Sequence, residues 1–443
     1  MDVILERSHE LKQALVDFVL DAEGELAQAL ETYAAEQLRR GSGDSTQQDL
    51  TIDSFLTDGK VGDKSPLELF IESHPDLAES DRSLINSWHH SFIGLFAISN
   101  IFPDGFELTN WLTDKRYIVK PNNTQTLQAI SRLKVGEILL TRISPVTDSY
   151  WTFSGPYTIM GKLGKPKLAV AIGNFKENYK SNLYSDAPDL LEEAWQSVEQ
   201  YHQQFVDFFG TDEITLPGYQ LNKKIAEFQE VITEKTFAAA GIDTSKSLAE
   251  VAEAAGIGDE EIKAAAQEFG ADSNVVSEMF NSKSSKSKMV MPKVDLPAEL
   301  KKAEQVTALS HPRWGQMFLP TYNKVQAILS AEDWQSVQGA EKLIRYYLED
   351  KSINAFIWHR LAQQYPTQLE NVLQTFLQRP FRLESDLDTL LQEFHKPIEP
   401  ELPDIASVPI HLHNLFQEAL GEVNKSKPKG KGQQKPAKGF QRG

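Results

Sequence analysis

There is no cysteine among the 443 residues of this chain. That one absence excludes disulfides, thiolate zinc sites, iron-sulfur clusters and cysteine nucleophiles. Long apolar runs are missing too. Nothing approaches the roughly 18 consecutive apolar residues of a membrane helix. The first residues, MDVILERSHELK, lack a basic stretch followed by a long apolar core. These absences predict a protein without a membrane span, in the cytoplasm. No period of about 34 or 40 residues recurs, so a solenoid is not expected. Carboxylates are plentiful everywhere except at the end, NKSKPKGKGQQKPAKGFQRG, which has none.

What that end does have is charge of the other sign: Lys425, Lys427, Lys429, Lys431, Lys435, Lys438 and Arg442. The whole chain holds 45 Lys and Arg against 63 Asp and Glu. Taking away the seven tail cations leaves 38 against 63, so the body carries about −25. An acidic body repels nucleic acid and anionic surfaces over about 8 Å at physiological salt, whereas a cationic tail seeks them. Gly430, Gly432, Pro428 and Pro436 interrupt any helix there. The tail is therefore expected to be a disordered docking arm for a polyanion or an acidic partner.

Hydrophobic period divides the rest. From Leu11 through Leu15, Phe18, Ala22, Leu26, Ala29 and Tyr33, apolar residues recur every three or four positions, predicting one amphipathic helix to about Arg39. Residues 41–64 are polar and contain glycine, and read as a mobile loop. Ser65-Pro66 starts a short helix as N-cap and first position. The period then shortens to two. FAISNIF, FELTNWLTDKRYIVK, GEILLTRISP, SYWTFSG, PYTIMG and KLAVAIG read as five to seven short strands with Gly, Pro, Asp and Asn turns. Such strands close into a small antiparallel barrel or bend strongly. The resulting map is a helical region at 1–92, a small β-barrel at 93–173, an acidic helical region at 174–281, a Ser/Lys linker at 282–296, a helical C-terminal domain at 297–423 and a disordered basic tail at 424–443. The fold class is α+β, mostly helical and multi-domain, with one small antiparallel β-barrel or bent sheet.

Within this map, the run HPDLAESDRSLINSWHHSFIGLFAISNIFPDGFELTNWLTDKRYIVKP, continued by LKVGEILLTRISPVTDSYWTFSGPY, resembles a segment of bacterial proteins that often end in a cysteine-rich zinc motif, the SEC-C motif. The likeness lies in the order of a Pro-Asp-Leu helix start, a helix with Trp88, a strand pair to Tyr117-Ile118-Val119, a Gly136-Glu137 turn, an Arg142 strand ending in Pro145 and a Phe153-Ser154-Gly155-Pro156 turn. It covers about 100 residues. The resemblance implies an accessory factor and no defined activity. Where those proteins carry cysteines, this chain has GKGQQKPAKGF, so no metal residue is carried over.

Other patterns carry less chemistry than their letters suggest. Leu248, Val251, Ala252, Ala255, Gly256, Ile257 and Ile262 have helix-turn-helix spacing, but the reading helix would begin Gly258-Asp259-Glu260-Glu261. Three carboxylates stand where phosphate contacts demand cations, which disfavours duplex DNA. GPYTIMGKLGKPK fails as a phosphate loop, because five residues rather than four separate its glycines and Leu163 follows the lysine. Ser285-Lys286-Ser287-Lys288 matches Ser-x-x-Lys only as low-complexity text. His89 and His90 diverge, and His411 and His413 have no carboxylate spaced to complete a metal site. No catalytic, cofactor or metal residue is assigned, and an enzyme would need a buried polar cluster inside a pocket.

The barrel aromatics leave more than one reading. They either fill a small core or present a peptide surface, or stack single-stranded nucleic acid beside Lys115, Arg116, Lys120, Arg132, Lys134 and Arg142. The residues that would form such a surface are Trp111, Arg116, Tyr117, Arg142, Tyr150, Trp151 and Phe153. The expected function is that of a non-catalytic adaptor or assembly factor for another protein or a ribonucleoprotein, with the tail as its arm. The alternatives are an RNA-binding factor and, behind it, an enzyme of unspecified type.

Overall fold

The computed structural model describes residues 2–40, 45–121, 133–239 and 289–426. The helix-turn-helix pattern, the Ser-Lys run and the tail cations from Lys427 onward lie outside them. So does the side chain of Lys425. The protein is mixed α/β and mostly helical, and its contacts group it into two units. Of the described residues, those up to Asp186 and those from His411 belong to the first, and those from Ala187 to Ile410 to the second. Among the described residues no helix is long and apolar enough to cross a membrane.

The first unit opens with α1 (Val3–Leu20), whose N-cap Asp2 accepts from the Ile4 and Leu5 amides. Leu11, Leu15 and Val19 form its buried stripe. The single helix expected to Arg39 is broken: α1 ends at Asp21, Gly24 takes φ +70°, and α2 (Glu25–Arg40) follows. A left-handed glycine turns the chain where an unbroken apolar period suggested continuity. The expected loop at 41–64 is corrected as well. It contains α3 (Ser45–Asp58), which buries Leu50, Phe55 and Leu56. The short helix α4 (Pro66–Ser73) has the full capping box between Ser65 and Glu68. With α5 (Glu79–Ser87) these helices enclose a core that includes Leu15, Phe55, Leu67, Phe70 and Trp88.

Five strands follow: β1 (Phe92–Phe102), β2 (Gly105–Asn110), β3 (Arg116–Lys120), β4 (Ile138–Pro145) and β5 (Trp151–Gly161). They pair in the order β1-β2-β3-β5-β4, and β4 pairs back to β1, closing a barrel. It is not wholly antiparallel. β3 and β5 run parallel where they meet, at Val119 with Trp151 and Lys120 with Thr152. Phe92, Phe96, Phe106, Leu108, Val119, Leu139, Ile143 and Phe153 fill it. KLAVAIG, expected as a further strand, lies in helix α6 (Lys165–Asn178). Pro166 opens that helix, and Leu168, Ala171, Ile172 and Phe175 are buried at helical spacing.

The second unit begins with α7 (Pro188–Phe209), which ends in the usual way at a left-handed Gly210. Strand β6 (Glu213–Leu216) and helix α8 (Gly218–Ala239) come next. Within the expected linker, Met289 and Val290 form β7, which pairs with β10 (Val408–Pro409), and Leu296 is buried. After α9 (Ala298–Lys302), the C-terminal region expected to be helical forms a hairpin, β8 (Val306–His311) and β9 (Gly315–Leu319). β8 also pairs with β6, making a three-stranded sheet. Five helices follow: α10 (Tyr322–Leu329), α11 (Ala340–Glu349), α12 (Ala355–Gln364), α13 (Pro366–Leu377) and α14 (Leu383–Glu393). They share one core with Leu309 and Leu319, centred on Tyr322, Tyr347 and Trp358. The last helix, α15 (Ile410–Ser426), belongs from His411 onward to the first unit.

Candidate functional site

Ionisable groups gather at three places, two in the first unit and one in the second. The first is Arg142. Between Thr141 and Ile143 the register with β5 shifts, and the extra β5 residues form a bulge. Here the Arg142 side chain, 1% exposed, reaches α3. Its Nη2 donates to Asp58 Oδ1 at 2.7 Å and to the Ser91 carbonyl at 3.0 Å, and Nη1 to Asp58 Oδ2 at 3.0 Å. Thr57 Oγ1 accepts as well, and Asp53 Oδ2 lies 3.7 Å from Nε. Burial opposes this charge, but the Asp58 and Asp53 carboxylates outweigh it and hold the guanidinium above its ordinary pKa. Lys12 of α1 completes the group, 2.7 Å from Asp53 Oδ1 and donating to Ser154 Oγ at 3.1 Å. Two cations and two carboxylates balance. Ser154 lies between Lys12 and Asp53, accepting from Lys12 and donating to Asp53 at 2.8 Å.

The second gathering is at Asp186. Its Oδ2 accepts from Tyr117 Oη at 2.6 Å, Thr113 Oγ1 at 2.8 Å and Asn110 Nδ2 at 3.1 Å. Burial and the Asp186 carboxylate raise the Tyr117 pKa, so the phenol keeps its proton. Its ring meets Trp151 at 5.1 Å and Phe92 at 5.5 Å, edge to face. These rings pack against the barrel core.

The seven residues expected on a barrel surface therefore divide. Arg142, Tyr150 and Phe153 are buried, which corrects their placement. Arg142 is held by carboxylates and Phe153 packs in the core. Tyr150 donates to Asp2 at 2.7 Å beneath Lys120, whose Nζ lies 4.5 Å from the ring centre. Trp111, Tyr117 and Trp151 are half-buried, and Arg116 is exposed. No row of exposed rings is present among them.

The third gathering, in the second unit, has no forerunner in the sequence reading. Arg360 of α12 forks onto Asp212 at 2.7 and 3.0 Å and reaches Glu213 at 3.1 Å. His202 Nδ1 of α7 lies 3.2 Å from Ser310 Oγ of β8. His311 Nδ1 accepts from the Arg313 and Trp314 amides, each at 3.1 Å, and its ring lies 4.3 Å from that of Phe356. Burial lowers both histidine pKa values, that of His311 to about 4, so both are neutral at pH 7. A histidine beside a serine is an acid-base arrangement in outline, but Ser310 is 2% exposed. The histidines singled out in the sequence lie elsewhere: His89 and His90 are exposed, and His411 Nε2 is 2.8 Å from the Trp111 carbonyl. The available signal was the Asp212-Glu213 pair just after a helix-ending glycine, together with the HPRWG turn. Among the described residues no three His, Asp or Glu side chains are grouped to hold a metal ion. In comparisons with known proteins the chain matches no family model, no curated protein and no solved structure.

Proposed function

We propose that this protein is a non-catalytic accessory factor that holds another protein or a ribonucleoprotein, with the cationic tail at 424–443 as its docking arm. The observation that carries this reading is the division of charge: a body near −25 and a terminal run of seven cations without a carboxylate. Two further points support it. The likeness of the helix-and-barrel segment to SEC-C-motif proteins points to an accessory role. Arg142, which is buried, and Arg360, which is half-buried, are each held by two carboxylates. An RNA-binding role is the second reading, and with Tyr150 and Phe153 buried it rests chiefly on the tail.

The test is to end the chain after Ser426, which keeps α15, and to compare binding of a uridine decamer and of a decaglutamate peptide over a range of salt. The arm predicts that both bind the full chain and that truncation removes both. For single strands, seven contacts give a slope of at most about −5 in log K against log salt. Binding unchanged or strengthened by truncation would mean that the tail is solubilising or held by its own body, and would end the proposal.

A further inference from the structure

Among the described residues, the first unit leaves one piece of sheet edge unpaired. On its β3 side, β5 pairs only at Trp151 and Thr152. Past those residues α3 lies close, since a Cβ on Gly155 would sit 3.2 Å from the Asp53 carboxylate. Pro156, with no N–H to offer, suits such an edge. From Tyr157 to Gly161 the strand is paired with β4 alone among the described strands. Thr158, Ile159 and Met160 are exposed in succession. The register with β4 shifts again between Ile159 and Gly161, leaving Met160 as the extra residue, so alternation is interrupted there and this arm lies past the barrel filling with consecutive side chains open.

The side chains there are specific in kind. Ile159 is 49% exposed, Met160 37% and Val135, just before β4, 49%. Lys134 and Lys162 are exposed, and neither forms an ion pair among the described residues. The Lys162 Cε lies 3.7 Å from where a Gly136 Cβ would be, placing that ammonium over the turn that carries Val135. A free strand edge supplies backbone donors and acceptors to an extended chain, and neighbouring side chains select it. Aliphatic groups give a nucleobase no flat ring to stack on. Self-pairing of two β5 edges would bring two copies of the same lysine pair together, which like charge disfavours.

We propose that the β5 edge at Tyr157–Gly161, with Val135, Ile159 and Met160 beside Lys134 and Lys162, docks an extended, acidic and aliphatic segment of a partner protein as an added strand. This surface is separate from the cationic tail, and either can fail without the other.

The probe is a fluorescein-labelled ten-residue peptide alternating valine and glutamate, added to the full chain. It should bind, and an analogue N-methylated at alternate residues should bind at least about tenfold more weakly, since it has lost donors to the edge. Ile159→Glu should weaken binding about tenfold, and Met160→Glu should do the same if the first variant alters folding. The charge reversal Lys134→Glu with Lys162→Glu should weaken it several-fold and flatten its salt dependence. Hydrogen exchange at Thr158, Ile159 and Met160 should slow on binding. Truncation after Ser426 removes whatever the tail adds for an acidic peptide and should leave binding that is still weakened by Ile159→Glu and by N-methylation. The proposal is overturned by no binding at millimolar peptide, by equal binding of the N-methylated analogue, or by insensitivity to both glutamate variants. Loss of binding on truncation would assign the peptide to the tail and overturn it. Tighter binding of a uridine decamer, weakened by the same lysine reversals, would make the edge a nucleic-acid surface and overturn it too.

Discussion

Removing the Arg142 guanidinium from water costs several kcal/mol, and the fold offsets this with Asp58, Asp53, Thr57 and the Ser91 carbonyl. The cost of breaking the group depends on which side is broken. With Arg142→Met, Asp53 keeps Lys12, and Asp58 is 37% exposed and can be hydrated. With Asp53→Asn and Asp58→Asn together, Arg142 stays buried with neither carboxylate. The double variant should lose about 3–5 kcal/mol and the arginine variant less, read from urea unfolding; the reverse order would show that the carboxylates, not the guanidinium, bear the desolvation. His311 makes a pH-dependent contribution. Its depressed pKa of about 4 reflects burial first, then the nearby His202 and Arg360 charges, against which Asp212 acts. The folded state binds fewer protons than the unfolded state between that value and the ordinary 6.5. The contribution is therefore complete above about 6.5 and is lost as pH falls toward 4. His202, also depressed, acts in the same sense. His311→Asn keeps a side-chain oxygen for the Arg313 and Trp314 amides and does not titrate. It should flatten the unfolding midpoint between pH 6.5 and 4, and an unchanged slope would assign the window to other groups.

Among the elements, what could be read from the sequence depended on whether a segment's buried face was apolar. β1 to β4 and the capped α4 were legible, because Val, Ile, Phe and Tyr recur there between turn residues and Ser65, Pro66 and Glu68 mark a helix start without reference to the rest of the fold. SYWTFSG and PYTIMG, read as two strands about a turn at Phe153–Pro156, are one strand, β5, with a bulge at that place. Helix α3 was not. Its inward positions include Asp53 and Thr57 beside Phe55, and two polar residues in a buried face erase an apolar period. Their reason for being there is Arg142, 84 residues from Asp58, and no local window contains both. α6 failed in a different way. KLAVAIG has a short apolar run that suits a strand or a helix, and Pro166 at its start was the arbiter. In the β8–β9 hairpin all but the last residue of β8 is buried, so it shows no alternation. Its turn depends on Gly315 at φ +72° and on the His311 ring taking two amides. The three polar gatherings were hidden for the same reason as α3. Arg360 is an ordinary polar position on an amphipathic helix until Asp212 is brought to it from 148 residues away.

At the scale of the whole chain, the order of the sequence and the grouping of contacts differ at the C-terminal end. Sequence composition reads 297–423 as one domain, whereas residues from His411 onward group with 1–186. Among the described residues the first unit is thus made of two separated pieces, and the second lies between them in the chain, from Ala187 to Ile410. The link to α15 is concrete: His411 meets the Trp111 carbonyl at 2.8 Å, and Lys165 of α6 pairs with Glu418 at 2.9 Å. Leu412, Leu415 and Ala419 are buried at helical spacing. Each buried leucine contributes about 1.5–3 kcal/mol, whereas the exposed Lys165–Glu418 pair adds little. A chain ended after Ile410 should therefore weaken the first unit by a few kcal/mol and leave the second near its original stability. Native-state hydrogen exchange can separate the two, because amides in a cooperative unit open together. Amides of β1 to β5 should exchange faster in the shortened chain, while those of β8 and α10 to α14 should keep their protection. Uniform loss across both units would mean that they unfold as one, and unchanged exchange in the barrel would mean that α15 contributes nothing to its stability. Comparison with truncation after Ser426, which spares α15, separates the helix from the cationic tail: the shorter cut should alter binding without altering protection, the longer one both.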